Sequence, residues 1–292
     1  MKQISELVDL LDLETIEDNI FRGRSYRTPW GSIFGGQVLA QALVAATRTV
    51  PADRACHSLH AYFILRGDIE HPVVYEVDRI RDGGSFTTRR VVAIQKGRPI
   101  FNLSASFQLR QEGLEHQISM PEVAPPEELL TDTQLSEKRG EQLSETFRFY
   151  QRNRPIEFRP VEDFPLGSYA FDDEVAHEPF RHVWIRAVGD LPTTFAGHRQ
   201  LLAFASDSNL LGTALLPHRH QIGGMRELQL ASLDHAMWFH RDFRMDDWLL
   251  YALESPSASN ARGFARGNIF RRDGRLVASV VQEGLIRRRI RG

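Results

Sequence analysis

Three polar residues stand in apolar settings in the second half of the chain. Asp207 lies inside LLAFASDSNLLGTALL (201–216), Ser232 inside LQLASLDHAMWFH (228–240) and Gln282 inside LVASVVQEGLI (276–286). A buried ionised carboxylate costs several kcal/mol unless it is hydrogen-bonded or paired. If the three met, the carboxylate, hydroxyl and amide could orient a water molecule. The carboxylate could then take its proton as general base. Each residue also has a plainer reading. Asp207 could lie on an exposed helix stripe, Ser232 in a strand or turn, and Gln282 on the solvent face of an edge strand. Spacing alone does not bring them together. Gly35-Gly36 precede the helical segment QVLAQALVAATRTV. They offer either backbone N–H groups for an anion or a tight turn against a sheet.

Other chemistry is missing from the sequence. It contains no GxSxG, GxxxxGK[ST], HExxH or CxxC pattern. The closest histidine pairs, His57/His60 and His218/His220, lack a cysteine or carboxylate at metal-binding spacing. We therefore expect no metal and no cofactor. A net charge of −2 over 292 residues marks neither a nucleic-acid nor an anionic-membrane partner. The single cysteine, Cys56, fits a reducing compartment, and the acidic N-terminus does not have the build of a signal peptide. No apolar run approaches the roughly 18–20 residues of a membrane span. The expectation is a soluble cytoplasmic protein.

These residues need elements to position them. After the 37–50 helix come four strand-like runs, 60–65, 73–80, 87–95 and 99–109, with turns at Asp82-Gly83-Gly84 and Lys96-Gly97-Arg98. The second half repeats the order. A helix over 201–216, with Asp207 in its middle, precedes strands at 236–240, 248–255, 264–270 and 276–286. The turn Asp273-Gly274-Arg275 matches the first, 177 residues on; His60 of LHAYF and His235 of DHAMWF are 175 apart. Two copies of one unit are expected: 1–112 and 155–292, joined by 113–154. The acidic, proline-bearing stretch 111–146 reads as a solvated crossing, with a short helix over 141–153. Counting from the turn glycines, Gln282 falls where the first copy has Ala105, so only one copy keeps the polar group.

Six stretches carry a resemblance: FGGQVLAQAL (34–43), HSLHAYFILRGD (57–68), ASDSNLL (205–211), LDHAMWFHRDF (233–243), ESPSASNARGFARG (254–267) and VASVVQEGLIR (277–287). They closely resemble the type II acyl-CoA thioesterases, in order and over nearly the whole chain. The resemblance implies an α+β double hotdog, in which each of two tandem repeats wraps a long helix in a curved antiparallel sheet. It implies hydrolysis of fatty acyl-CoA to CoA and fatty acid by an activated water. The catalytic set it implies is Asp207, Ser232 and Gln282, with Ser232 standing where many members carry Thr.

Substrate contacts are expected from Gly35, Gly36, His60, Arg89, Ser257, Ser259 and Arg262. Arg90, Arg266, Arg271, Arg272 and Arg287–Arg289 are further phosphate candidates, each with a solvated surface charge as its plain alternative. Phe34, Trp238 and Phe239 are candidates for the acyl tunnel. A homo-oligomer, dimer or tetramer, is expected. Two other readings stay open: a hotdog hydratase or dehydratase of acyl thioesters, and a non-catalytic acyl-CoA binder.

Overall fold

Alternating apolar positions and tight turns build one antiparallel sheet, and its order shows how the site is assembled. The structure, a computed structural model, describes residues 1, 3–138, 145–163, 176–192, 196–222 and 227–289. The first half contains α1 (Ile4–Leu11), β1 (Glu14–Glu17), β2 (Ile20–Gly23), α2 (Gly35–Thr47), β3 (Arg54–Phe63), β4 (Val73–Asp82), β5 (Phe86–Gln95) and β6 (Arg98–Leu109). Two short helices follow, α3 (Asp132–Lys138) and α4 (Glu145–Arg152). The second half contains β7 (Ile156–Pro160), β8 (Phe180–Ala187), α5 (His198–Ser206), α6 (Leu210–Thr213), β9 (Leu228–Ser232), β10 (Asp234–Phe239), β11 (Leu249–Ser259), β12 (Arg262–Arg271) and β13 (Leu276–Arg288).

The halves meet where β3 pairs antiparallel with β10, from Tyr62↔Asp234 to Ser58↔Trp238. Outward from this seam the first half runs β3, β6, β5, β4, β2, β1, and the second runs β10, β13, β12, β11, β8, β7. Strand for strand, the order is the same. The strands β1, β2, β7 and β8 complete both edges and are too short or too irregular in pattern to read from the sequence. Gly97 and Gly274 take φ of +71° and +83° at matching hairpin turns, a conformation glycine adopts without strain.

Burial corrects one of the two repeat landmarks. His60 faces outward and is exposed, whereas His235 is fully buried. Successive strand residues alternate faces. The inward residues are Leu59 and Ala61 in β3, opposite Met237 and His235 in β10. His60 and His235 therefore occupy different structural positions despite their similar sequence context.

Helix α2 is buried on nearly every side, as its all-round apolar composition requires, and it packs against α5. Its two buried glutamines are satisfied: Gln41 donates to the carbonyls of Leu10 and Arg24 and accepts from the Tyr75 hydroxyl, while Gln37 donates to Arg24. The stretch after β6 is docked on the second half. Gln117 donates to Gly274 O and accepts from Leu276 N, and Ala124 O accepts from the Trp184 indole. Met120, Val123 and Leu129 pack on the Trp184–Trp248 cluster. Part of the expected 141–153 helix lies outside the described residues; the rest is α4.

Candidate active site

The stretch 201–216 is not one helix. α5 ends at Ser206, and Asp207 is its C-cap. Asn209 then takes a φ of 75°, and α6 starts afresh at Leu210. Asn tolerates this left-handed conformation better than other side chains that carry a Cβ. The expectation of Asp207 in mid-helix is thus corrected. The polar run SDSN breaks the helix, and the break points the carboxylate at the neighbouring helix instead of along its own.

That neighbour is the N-terminus of α2. Phe34 occupies the N-cap position and supplies no side-chain cap. The backbone N–H of Gly36 instead donates to the Asp207 carboxylate. A Cβ on Gly35 would lie 2.7 Å from Asp207 Oδ2, and one on Gly36 would lie 2.2 Å from Phe204 O. Glycine at both positions lets the two helices approach closely enough for this contact. Gln282 Nε2 donates to Asp207 Oδ1 at 2.7 Å. The Asp207 side chain is 6% exposed. Burial pushes its carboxyl up from 3.8 to about 6, against the opposing pull of the Gln282 and Gly36 hydrogen bonds. Desolvation outweighs both bonds, and among the described residues no cation faces the carboxylate.

Three residues outside the expected site set, His235, Ser206 and Tyr251, complete the cluster. His235 Nδ1 lies 3.4 Å from Gln282 Nε2 and 4.0 Å from Asp207 Oδ1. Its Nε2 lies 3.0 Å from Ser206 Oγ, which donates to Ala203 O. Burial lowers the His235 imidazole to about 3, so it is neutral. The Tyr251 hydroxyl donates to Ser206 O, satisfying a carbonyl in the last turn of α5. The available signal for His235 was parity: in DHAMWF it falls in the inward set with Met237 and Phe239.

Ser232 ends β9 directly opposite Gly284 of β13, on the sheet face that carries Gln282 two residues away. No hydrogen bond joins Ser232 to Asp207 or Gln282. Leu233 separates β9 from β10; it donates to Glu283 O and accepts from Phe63 N. Across Leu233 the pairing against β13 shifts by one residue, from Ser232↔Gly284 to Ala236↔Val281, with Ser232 before the shift and His235 after it.

A cavity of about 290 Å³ is lined by Phe34 and Ser208, the chain neighbours of Gly35 and Asp207, by Phe204 of α5, and by Tyr26–Pro29, Asn153–Ile156 and Phe158 among others. Phe34 and Phe204 meet edge to face, with ring centroids 5.1 Å apart.

The structure does not bring every expected substrate contact to this place. His60 lies on the outer face, edge-on to Trp238 at 5.2 Å, and strand parity keeps it from the site. Trp238 therefore does not line the cavity, and Phe239 lines a separate polar groove. Arg89 is 1% exposed. Its guanidinium is committed to Thr49, Arg81 O, Thr88 O and Asp82, which leaves it a structural role. Ser257 and Ser259 are exposed near the tip of the β11–β12 hairpin and do not bond to the Asp207 cluster. Arg262 pairs with Glu283 at 2.7 Å. Arg90, Arg266, Arg271 and Arg272 likewise each pair with a carboxylate. Among the described residues, no group of three or more His, Cys, Asp or Glu could hold a metal ion, and no helix is long and apolar enough to cross a membrane.

The chain resembles known proteins over nearly its whole length. Residues 162–285 match the acyl-CoA thioesterase family, and residues 25–108 match the acyl-CoA thioesterase N-terminal domain. The chain is 43% identical over 289 residues to acyl-coenzyme A thioesterase 8 of Homo sapiens, covering 95% of this chain and 88% of that one. It is 39% identical over 287 residues to acyl-CoA thioesterase 2 of Haemophilus influenzae, covering 97% and 98%. Among solved structures, the acyl-CoA thioesterase II TesB2 from Mycobacterium marinum superposes with a TM-score of 0.79 at 42% identity, covering 96% of this chain and 98% of that one. The fold is the double hotdog, and the chain belongs to the acyl-CoA thioesterase family.

Proposed function

We propose that the chain hydrolyses fatty acyl-CoA to free CoA and fatty acid, with Asp207 as the base that activates water. The observation that carries this reading is a buried carboxylate that faces no cation among the described residues, held by Gln282 and the Gly36 N–H, with its chain neighbour Ser208 on the wall of a cavity that Phe34 and Phe204 also line. The acyl chain enters the cavity past Phe34 and Phe204, and its thioester carbonyl lies near Asp207. Ser232, on the same sheet face, supplies the hydroxyl that helps to hold the water. Asp207 takes a proton as the water oxygen bonds to the carbonyl carbon. The N-terminus of α2, with the N–H of Gly35 at its open end, favours the negative charge that develops on the carbonyl oxygen. The C–S bond then breaks. The leaving thiolate, from a thiol of pKa about 8.5, takes up a proton without a dedicated acid. Cys56 is no rival nucleophile: burial pushes its thiol up to about 12.

The same proposal takes 1–112 and 155–292 as the two units and 113–154 as their connection. A cytoplasmic location fits the single cysteine. A homo-oligomer, dimer or tetramer, is also part of it. It is supported by the exposed Tyr62, next to His60 on the outer face of the seam strand, and is checked by sedimentation equilibrium.

The test is CoA release from medium- and long-chain acyl-CoA, followed with a thiol reagent, for wild type and Asp207→Asn. We expect release by wild type and a loss of about 10²–10⁴-fold in the folded variant, the usual worth of a general base. No release by wild type would overturn the hydrolase. Full release by Asp207→Asn would leave the hydrolase but move its base elsewhere.

A further inference from the structure

Asp207 and Gln282 raise a question of polarity. A glutamine amide can present either its NH₂ or its oxygen to a neighbour, and the two orientations have nearly the same shape. An ionised Asp207 selects the NH₂. Once Asp207 has taken the proton from water it is neutral, and that selection weakens at the step where the geometry has to hold.

We propose that His235 is the positioning residue that keeps the Gln282 amide in one orientation, with its nitrogen toward Asp207 and His235 and its oxygen free to accept from the attacking water. The inference rests on the thioesterase reading above. Its support is a chain of hydrogen bonds whose direction is fixed at one end by the backbone. Ser206 Oγ donates to Ala203 O at 3.0 Å. With that proton on Ala203 O, Ser206 Oγ accepts from His235 Nε2 at 3.0 Å; this assigns the Nε2–H tautomer, in which Nδ1 presents a lone pair. Gln282 Nε2 lies 3.4 Å from that lone pair, a long hydrogen bond, and 2.7 Å from Asp207 Oδ1. The two amide hydrogens have two acceptors, neither of which is served by the amide oxygen. A flipped amide would set its oxygen against the Nδ1 lone pair and Asp207 together. Unlike Asp207, His235 keeps its charge state through the reaction: burial holds the imidazole neutral.

The chain also explains a buried polar pair that the reaction does not use directly. Ser206 and His235 are both 0% exposed. Buried polar groups that only needed partners could be replaced by apolar ones at little cost.

The test is a double-mutant cycle on CoA release. His235→Leu is expected to lower kcat about 10–100-fold with KM changed less than about threefold, because an orienting interaction acts on the chemical step and not on binding. His235→Asn, whose side-chain carbonyl can serve as the Nδ1 acceptor, should recover much of that loss. Ser206→Ala frees the tautomer and should lower kcat by about threefold to tenfold. In a Gln282→Ala background, His235→Leu should change kcat less than about twofold, since the amide it orients is gone. An equal loss with and without Gln282 would overturn the proposal, as would a His235→Leu enzyme of unchanged kcat. If His235→Leu fails to fold, Ser206→Ala and His235→Asn run the same cycle. A wild type that releases no CoA would instead sink the hydrolase reading, and an unimpaired Gln282→Ala would sink the role of Gln282 itself.

Discussion

Asp207 holds its proton more tightly in the folded chain than an ordinary carboxyl does, and two consequences follow at the residue scale. The first is catalytic. A base must be ionised to act, so kcat/KM should fall about tenfold per pH unit below about 6 and level off above it. A profile that stays flat from pH 8 down to pH 4, with no break near 6, would contradict Asp207 as the base. The second is a cost in stability. Between pH 3.8 and about 6 the fold binds more protons at Asp207 than the unfolded chain does, so this residue's contribution declines as pH rises through that window. The displacement corresponds to about 3 kcal/mol as an upper estimate. Asp207→Asn should therefore stabilise the protein by about 1–3 kcal/mol at pH 8 and by much less at pH 4. His235 acts oppositely, since its imidazole is lowered to about 3 and acid favours the unfolded chain. The measurement is accordingly the difference in denaturation free energy between Asp207→Asn and wild type at each pH, in which the His235 contribution cancels.

At the scale of elements, the site depends on two helix ends meeting. α5 stops where Asp207 and Asn209 break it, and α2 starts with two glycines, where a Cβ would press on the Asp207 and Phe63 side chains at Gly35 and on the Phe204 backbone at Gly36. Gly36→Ala puts a methyl 2.2 Å from Phe204 O, which is backbone and cannot swing aside. The helices must separate. The variant should lose about 1–3 kcal/mol of stability, as overpacked sites do. It should also lose activity by more than about tenfold, because the Gly36 N–H leaves the carboxylate. Wild-type activity with only lower stability would mean that this contact is packing alone.

The same two ends show what was legible in the sequence. The eight main strands could be read from alternation and from turns at Gly97 and Gly274. The glycine pair could be read as either a turn or an N–H donor; the structure shows a close helix approach at both and the Gly36 N–H turned to Asp207. Asp207 stood out as a carboxylate among apolar residues, but its helix was drawn straight through SDSN, because local propensity alone does not reveal a break that a facing helix N-terminus stabilises. His60 and His235 sit in similar sequence contexts, and only the inward or outward face, set by pairing across the seam, separates them. Arg89 reads in the sequence as a free phosphate ligand, but Thr49 after α2, Arg81 and Asp82 of β4 and Thr88 of β5 close around it. Contacts between residues far apart in sequence decided each of these.

At the scale of the whole molecule, the two halves repeat one strand order but are not two independent bodies. The seam β3–β10 carries the sheet from one half into the other, and Gly36 approaches Phe204 across the helix pair. The candidate site has no half of its own: Asp207, Gln282 and His235 come from the second half, and Gly35 and Gly36 from the first. The stretch 117–129 further ties the chain to Trp184 and Trp248. A chain of this length with two repeats would ordinarily be expected to unfold in steps. Here the first half cannot leave without exposing an unpaired edge at β10 and stripping the buried face of α5. We therefore expect one cooperative transition in denaturant. Fluorescence, dominated in the second half by Trp184, Trp238 and Trp248, should coincide with far-ultraviolet circular dichroism and with loss of CoA release. A tryptophan transition displaced from the dichroism curve by more than about 0.5 M urea would show that the halves separate before they unfold. Activity lost before either signal would place the weakest link at the α2–α5 contact, where the two helix ends hold Asp207.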